Sequence, residues 1–157
     1  MMVVTGIPYY DGLKPRSFSS LMDVFEINYI RLRKLIPDLD ILDTATSCRP
    51  GTVDLRLTVL ERGPYTTTIA LTYHFLEGAD LVAEPDLIIR IYHDARLAEV
   101  MSYQRRAYQL DSDTPWTPAA QSFVLERKWR INRFLQKWLG FCLHQGHRFT
   151  VNEPSST

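Results

Sequence analysis

The sequence predicts an α+β domain of two layers, in which an N-terminal helix and a long C-terminal helix pack on one face of an antiparallel sheet of about four strands. Two segments with helical spacing of apolar residues flank a central region in which apolar and polar residues alternate. The chain has 157 residues, so we expect a single domain over 1–157. Its composition, 45% hydrophobic and 23% charged, is typical of folded globular proteins and excludes a disordered chain.

The first helix is predicted to follow an irregular lead-in over 1–18, where turn-forming residues show no period. It begins at Ser20, with Asp23 three residues later in the capping-box position. It ends before Pro37, because a residue that precedes proline avoids helical geometry. Residues 37–52, which contain three aspartates, are predicted to be a loop.

Two β-hairpins are predicted in the central region. In the first hairpin, alternation over 53–59 and 65–75 predicts two paired strands. The apolar residues of both strands have odd numbers, so they share one face only if the two numbers of each cross-strand pair sum to an even value. A three-residue loop with a left-handed Gly63 or a five-residue loop would satisfy this condition. Residues 77–85 are predicted to be a loop, because they are acidic with no basic residue among them.

The second hairpin is predicted over 87–103, with Asp94 and Ala95 as its turn. This register makes one face almost wholly apolar and the other face mixed. On the mixed face, Arg90 lies opposite Glu99. Residues 103–110 either continue this strand or bend away, and residues 111–118 are predicted to be a loop.

The C-terminal helix is predicted over about 118–144, followed by a polar tail over 151–157. Gly146 is predicted to cap its end. One stripe of the helix is apolar and is predicted to pack on the sheet: Val124, Ile131, Phe134, Leu135, Trp138, Leu139, Cys142. The opposite side is polar: Glu126, Arg130, Arg133, Gln136, Lys137.

Several function classes are disfavoured by charge and composition. Eighteen basic residues balance eighteen acidic ones, so we do not expect nucleic acid as a partner. No apolar stretch is long enough to span a bilayer, and residues 1–16 lack the pattern of a secretory signal, so we expect a cytoplasmic protein without membrane association. Cys48 and Cys142 are too few for a disulfide framework or a recognisable zinc site, and we expect them to be small buried or indifferent thiols.

The densest polar cluster lies on the second hairpin. It contains two arginines, a tyrosine, a histidine and two carboxylates within ten residues: Arg90, Tyr92, His93, Asp94, Arg96, Glu99. These groups are suited to binding an anion or to acid–base catalysis. A structural role explains them equally well, because cross-strand Arg90 and Glu99 would pair to fix register and Asp94 is a normal turn residue. We assign no catalytic residue and no cofactor, and a metal site would need His74 and His93 to converge, which the spacing does not require.

A second candidate surface lies on the C-terminal helix. Trp129 falls about 160° from the apolar stripe, beside Arg130 and Arg133. An exposed tryptophan among arginines can anchor a partner or stack on a base, but the sequence favours a Trp129 that is covered by the lead-in of its own chain or by a partner. The ligand- or partner-binding candidates are therefore Arg90, Tyr92, His93, Asp94, Glu99, Trp129, Arg130 and Arg133.

Three blocks of sequence, at 26–37, 90–100 and 128–143, together resemble the YqiB-like family of small bacterial proteins of unknown function. The resemblance covers about residues 20–146 and implies a bacterial cytoplasmic protein, with no catalytic residue to transfer. The expected function is a non-enzymatic binding or regulatory module with a protein or small-molecule ligand. The alternative is an enzyme acting on a phosphorylated or nucleotide-like small molecule, with Arg90 holding an anion and His93, Asp94 or Glu99 acting as acid or base.

Overall fold

The computed structural model describes residues 18–77, 80–103, 106–107 and 118–151. Two helices enclose six strands in chain order: α1 (Phe18–Leu35), β1 (Thr44–Ser47), β2 (Asp54–Arg62), β3 (Thr66–Glu77), β4 (Asp80–Tyr92), β5 (Leu97–Tyr103), β6 (Arg106–Ala107), α2 (Pro118–His144). The strands form one antiparallel sheet in which each strand pairs with the next along the chain. The predicted α+β class is confirmed.

The sheet is larger than the predicted four strands, since five strands have four or more residues and β6 adds two. The predicted loop over 37–52 contains β1, whose four residues are too few to show a period. The predicted loop over 77–85 forms the ends of β3 and β4, which pair as far as Glu77 opposite Asp80. Acidic composition alone does not distinguish a loop from a long strand pair. Because β3 pairs with β4 along this segment, the two predicted hairpins are parts of one continuous sheet.

From Asp54 to Val59, the register of β2 and β3 has the predicted even sum of paired residue numbers. Leu57 lies opposite Leu71, and Val59 opposite Ile69, so the paired numbers sum to 128. The loop between the strands has three residues, but Gly63 is not left-handed, because the described glycines with positive φ are Gly51 and Gly146. A β-bulge between Val59 and Glu61 offsets the register instead.

The predicted register of β4 and β5 is correct next to their turn. Ile89 faces Val100, Arg90 faces Glu99 and Tyr92 faces Leu97, while a bulge after Ile88 shifts the pairs further along. The turn spans residues 93–96, and Arg96 adopts a left-handed φ of 55°. β6 pairs antiparallel with β5, so the chain reverses after β5 rather than continuing that strand.

Both helices form the second layer. α1 begins at Phe18, so Ser20 lies buried in the first turn and does not cap the helix as predicted. α2 has the predicted bounds, and a left-handed Gly146 with the bond from the His147 N–H to the Cys142 carbonyl (3.1 Å) ends it in a Schellman motif. The rest of the predicted lead-in and tail, and residues 108–117 of the predicted loop region, lie outside the described residues.

The main core lies between the inner face of the sheet and the two helices. The predicted stripe of α2 is buried there from Ile131 to Cys142, with Val124 half-buried. Its sheet side is formed by alternate residues of β2, β3 and β4: Leu55, Leu57, Ile69, Leu71, Leu87, Ile89, Ile91. Complete burial of such a side chain contributes about 1.5–3 kcal/mol relative to leaving it exposed, so this layer dominates the stability of the fold.

The two helices run parallel, because contacts between them advance in the same direction along both. Asn28 donates to the Asn132 carbonyl (3.1 Å), and Arg31, one turn later, donates to the Gln136 carbonyl. Asn132 also accepts a hydrogen bond from the Val100 N–H (2.8 Å), so α2 covers part of the β5 backbone. α2 is therefore buried on two sides, one facing the sheet and one facing α1.

Candidate functional site

The polar cluster on β4 and β5 forms a surface that we call the hairpin surface: Arg90, Tyr92, His93, Asp94, Glu99. Strand alternation places Arg90, Tyr92 and Glu99 on the outer face of the sheet, away from the main core. Their side chains are half-buried, whereas Asp94 is exposed in the turn. The structure thus brings three of the five predicted residues onto one face.

Glu99 is bonded to partners other than Arg90. The Tyr92 hydroxyl donates to Glu99 Oε1 (2.8 Å), and Lys128 Nζ lies 3.9 Å from Oε2. Arg90 Nε lies 3.5 Å from Thr68 Oγ1 on the neighbouring strand, at the limit of a hydrogen bond. The predicted register pair between Arg90 and Glu99 is therefore absent among the described residues, and Arg90 has no carboxylate partner there.

The pKa of the Tyr92 hydroxyl agrees with its role as a hydrogen-bond donor to Glu99. Burial raises the pKa of its hydroxyl, and the hydrogen bond to Glu99 raises that pKa further, while Arg90 acts in the opposite direction. Tyr92 is therefore a neutral donor at physiological pH. It holds the Glu99 carboxylate in a hydrogen bond, so this carboxylate is not paired with Arg90 although it lies on the opposite strand.

His93 points to the other side of the sheet. Its Nε2 lies 2.7 Å from Thr67 Oγ1, and Thr67 belongs to the inner row of β3 with Ile69 and is only 4% exposed. The backbone N–H of His93 donates to the Tyr65 carbonyl (2.9 Å), which connects the turn to the start of β3. The acid–base combination of His93 with Glu99 is therefore not assembled on one face.

Trp129 is covered by its own chain, as the sequence favoured, but among the described residues α1 and not the lead-in supplies the cover, and the side chain is 1% exposed. It packs against Leu21 and Phe25 of α1 in a second apolar cluster, with Leu97 of β5 partly buried alongside. The helical stripe facing the sheet does not include Trp129, but α1 covers this other side of α2. The ring is accordingly part of the interior and not an anchor for a partner in this conformation.

The two arginines beside Trp129 have different environments. Arg130 is exposed and pairs with Glu126 one turn earlier (3.1 Å). Arg133 is half-buried, and its Nη1 donates to Gln136 Oε1 (2.7 Å). Gln136, predicted on the exposed side of the helix, is buried against α1. The three predicted residues of α2 therefore do not form one surface.

A buried polar cluster that the sequence did not indicate joins the end of α2 to β1. His147 Nδ1 lies 2.9 Å from Ser47 Oγ, and its Nε2 lies 3.3 Å from Thr52 Oγ1. Burial lowers the pKa of His147, and the charge of Arg49 lowers it further. Because Ser47 and His147 are 3% and 2% exposed, no substrate reaches this pair, and the contacts fasten the chain after α2. Spacing could not reveal them, since 100 residues separate the partners.

These sites fall within a region that is similar to known proteins. A model of a family described as a protein of unknown function (DUF1249) matches residues 31–148. The chain belongs to this family. The matched region of the DUF1249 family contains the whole hairpin surface and the His147 cluster, but it begins after Leu21 and Phe25.

Individual relatives agree with the family match. Uncharacterised YqiB proteins of Escherichia coli K12, O6:H1 and O157:H7 are each 32% identical over 130 residues, covering 82% of this chain and 90% of theirs. The predicted YqiB-like family is thereby confirmed. No solved structure matches the chain.

The cysteines and histidines of this DUF1249 member do not assemble a metal site within the described residues. His74 lies opposite Asp54, eight positions along β3 from the Thr66 end that faces Tyr92. Cys142 is buried 3.3 Å from the Tyr73 hydroxyl, and burial raises its pKa to about 12, so it is a thiol and not a reactive thiolate. Cys48 is half-buried. In the described part of the chain, no helix has the length and apolar character that crossing a membrane requires.

Proposed function

We propose that this chain is a non-enzymatic binding module and that its hairpin surface recognises an anionic group of the ligand. The observation that supports this proposal is the position of Arg90. Its cross-strand neighbour Glu99 is bonded to Tyr92 and Lys128, so the half-buried guanidinium lacks a carboxylate partner among the described residues. A guanidinium presents planar, directed donors that suit carboxylates and phosphates.

Binding is favoured over catalysis because the titratable groups of the hairpin already have partners. The Tyr92 hydroxyl and the His93 ring make hydrogen bonds to Glu99 and to the buried Thr67. An enzyme on a phosphorylated substrate would require a free base beside the anion-binding group. His93 points to the face opposite Arg90, and Glu99, which shares the face of Arg90, is held by Tyr92 and Lys128.

The test is native mass spectrometry of protein freshly isolated from a bacterial host. We expect a bound anionic mass in the wild-type protein and its loss from Arg90→Gln. Arg56→Gln is the matched control, because Arg56 is exposed on the same outer face of the sheet and the substitution removes the same charge. Equal retention by both variants would place the ligand elsewhere, and a wild-type protein without bound mass would contradict a tightly held ligand.

The proposal also includes the cytoplasm as the compartment and excludes nucleic acid as the ligand, because basic and acidic residues balance over the chain. Fractionation of bacterial cells tests the compartment. Treatment of the isolated protein with nuclease, followed by mass measurement, tests the nature of the ligand, and a bound mass that disappears after this treatment would contradict the exclusion.

A further inference from the structure

The strand β1 lies at one margin of the sheet, and among the described residues it pairs with β2 alone. The bond from the Val59 N–H to the Asp43 carbonyl (2.7 Å) shows which residues of this segment face β2. Facing alternates along an antiparallel strand, so the backbone N–H and C=O groups of Thr44 and Thr46 point away from β2. We call this row of outward backbone groups the β1 edge.

The β1 edge lacks the features that usually protect the margin of a sheet. Such margins commonly carry lysine or another charged residue, a proline or a β-bulge. The residues of β1 are Thr, Ala, Thr and Ser, and their pairing with β2 has no register shift. At the other margin of the described sheet, β6 has only two residues and offers less backbone to a partner. β1 is therefore the margin at which a further strand can be added.

The β1 edge is complementary to itself. If a second copy pairs antiparallel with Ala45 opposite Ala45, then Thr44 of each copy lies opposite Thr46 of the other. The outward N–H and C=O groups of each such pair bond to each other, as in any antiparallel ladder. Threonine pairs across antiparallel strands are favourable, and only the small Ala45 side chains meet at the two-fold axis.

The charges at the two ends of β1 also match in this register. The Asp43 side chain is 91% exposed, although its carboxylate lies 3.7 Å from Arg62 Nη2. Asp43 would lie opposite Ser47 of the second copy. Arg148 is exposed, and its N–H donates to Ser47 Oγ (3.2 Å), so a basic residue lies beside that end of the strand. The acidic end of each copy therefore meets the basic end of the other.

Exposed apolar side chains lie beside the β1 edge. Ile41 is 65% exposed and Val151 is 50% exposed. Both are bonded to Asp38, since the Ile41 N–H donates to its carbonyl (3.1 Å) and the Val151 N–H donates to its Oδ2 (2.9 Å). The two side chains therefore lie near each other before the start of β1, and their removal from water favours association.

We propose that the β1 edge is the contact between two copies of this chain, which pair antiparallel through β1 and join their sheets into one. A stable interface buries about 800 Å² of each partner, and β1 is short, so the dimer is weak and reversible. The contact uses no residue of the hairpin surface. This proposal and the anion-binding proposal can therefore fail separately.

The experiment is sedimentation velocity of the full chain over a range of protein concentrations. We expect the wild-type protein to change from monomer to dimer in the micromolar range. Thr46→Pro should raise the Kd of the dimer at least tenfold, because proline removes the outward N–H and leaves the bonds between β1 and β2 in place. The matched control is Thr46→Val, which keeps the N–H at the same position and should change the Kd less than threefold.

A second set of variants tests the register. Asp43→Arg should weaken the dimer severalfold, because it places a basic residue opposite the basic end of the second copy. Arg148→Asp in the same chain should restore the affinity, since the exchanged charges attract each other again. A double variant as weak as Asp43→Arg alone would contradict the proposed pairing.

Hydrogen exchange of the wild-type protein decides the question if Thr46→Pro does not fold. The Thr46 amide should exchange more slowly at high protein concentration, whereas the exchange of the Ala45 amide, which faces β2, should not depend on concentration.

Three further results would overturn the proposal. The first is a wild-type protein that stays monomeric at every concentration tested. The second is equal weakening of the dimer in Thr46→Pro and Thr46→Val, which would place the contact elsewhere on the surface. The third is a Thr46 amide whose exchange does not respond to protein concentration.

Discussion

Two apolar clusters attach the helices to the sheet, and they differ in how much each depends on one side chain. The main core extends over β2, β3, β4 and β5 and includes both helices. The second cluster, at the margin of the sheet beside β5, has three buried members, Leu21, Phe25 and Trp129. A large cluster shares its burial among many side chains, whereas the small one depends largely on a single indole ring.

The two tryptophans of α2 show this contrast directly. Trp138 lies edge-on to Tyr73 at 5.3 Å between ring centroids and stacks on Phe134 at 6.2 Å. Trp129 instead packs between the first half of α1 and Leu97 of β5. Each is 1% exposed, so burial alone does not distinguish them. The difference implies that loss of Trp138 affects the whole fold, while loss of Trp129 releases the N-terminal halves of the two helices.

Trp138→Ala should have the largest effect. We expect it to lower the free energy of unfolding by about 3–5 kcal/mol, because it leaves a cavity in the centre of the main core and removes two aromatic contacts. Urea denaturation followed by circular dichroism measures the change. A loss below about 1 kcal/mol would mean that the core tolerates the cavity and that the contrast between the clusters is wrong.

Trp129→Ala should destabilise the protein by about 3 kcal/mol, at the lower end for this substitution, since neighbours at the margin can close around the gap. Hydrogen exchange should show the loss of protection concentrated in α1 near Leu21 and in β5 near Leu97, with β2 and β3 less affected. Uniform loss of protection would show that the two clusters form one cooperative unit.

The sequence predicted the main core well, because strand alternation and the stripe of α2 both report contact with one surface. It did not identify α1 as the element that covers Trp129 and Gln136, which lie on a second side of α2. A helical pattern shows which residues are polar. It does not show that another helix, 104 to 105 residues earlier in the chain, will cover a side containing arginines and a glutamine. Such coverage depends on tertiary packing of α1, whose parallel orientation has no local signal.

The hairpin surface shows a similar limit. Alternation predicted that Arg90 and Glu99 lie opposite each other, and the register confirms it. It could not predict that Glu99 bonds to Tyr92 and Lys128, because Lys128 comes from α2. Register follows from the backbone and the turn, whereas the choice among several hydrogen-bonding partners depends on side chains that other elements supply.

Asn132 bonds to Val100 of the main core and to Lys128, the residue before Trp129, so its loss tests whether the two clusters are coupled. Its Oδ1 accepts from the Val100 N–H and its Nδ2 donates to the Lys128 carbonyl, both at 2.8 Å. Asn132→Ala leaves a buried backbone N–H unpaired, which should cost about 1–3 kcal/mol. In the double variant with Trp129→Ala, urea denaturation should show less than the sum of the two losses. Full additivity would mean that Asn132 and Trp129 support the β5 margin independently.

A smaller, pH-dependent effect should come from His147, at the far end of the main core. Its pKa is lower in the folded protein than in the unfolded chain, so the unfolded chain binds the proton more readily. The contribution of the neutral His147 ring to the free energy of unfolding is therefore present above the pKa of the unfolded chain, about 6.5. It is lost as the pH falls toward the lower pKa of the folded protein. Unfolding measured between pH 7.5 and pH 5.5 should show this loss in the wild-type protein and a weaker one in His147→Gln. Identical profiles would assign the pH dependence to other groups.

The smallest effects should come from the hairpin surface, where the direct test is the coupling between charged neighbours. If Arg90 and Glu99 do not interact, a double-mutant cycle of Arg90→Gln with Glu99→Gln should give a coupling energy near zero, within about 0.3 kcal/mol. A cycle of Tyr92→Phe with Glu99→Gln should give a larger value, up to about 1.5 kcal/mol, because the hydroxyl donates to a partly buried carboxylate.

The charge-swapped protein, Arg90→Glu with Glu99→Arg, should not regain stability, since an arginine at position 99 would face Lys128. A substantial favourable coupling in the first cycle, or recovery in the swapped protein, would mean that Arg90 serves the register after all and would remove the reason for proposing an anion-binding role.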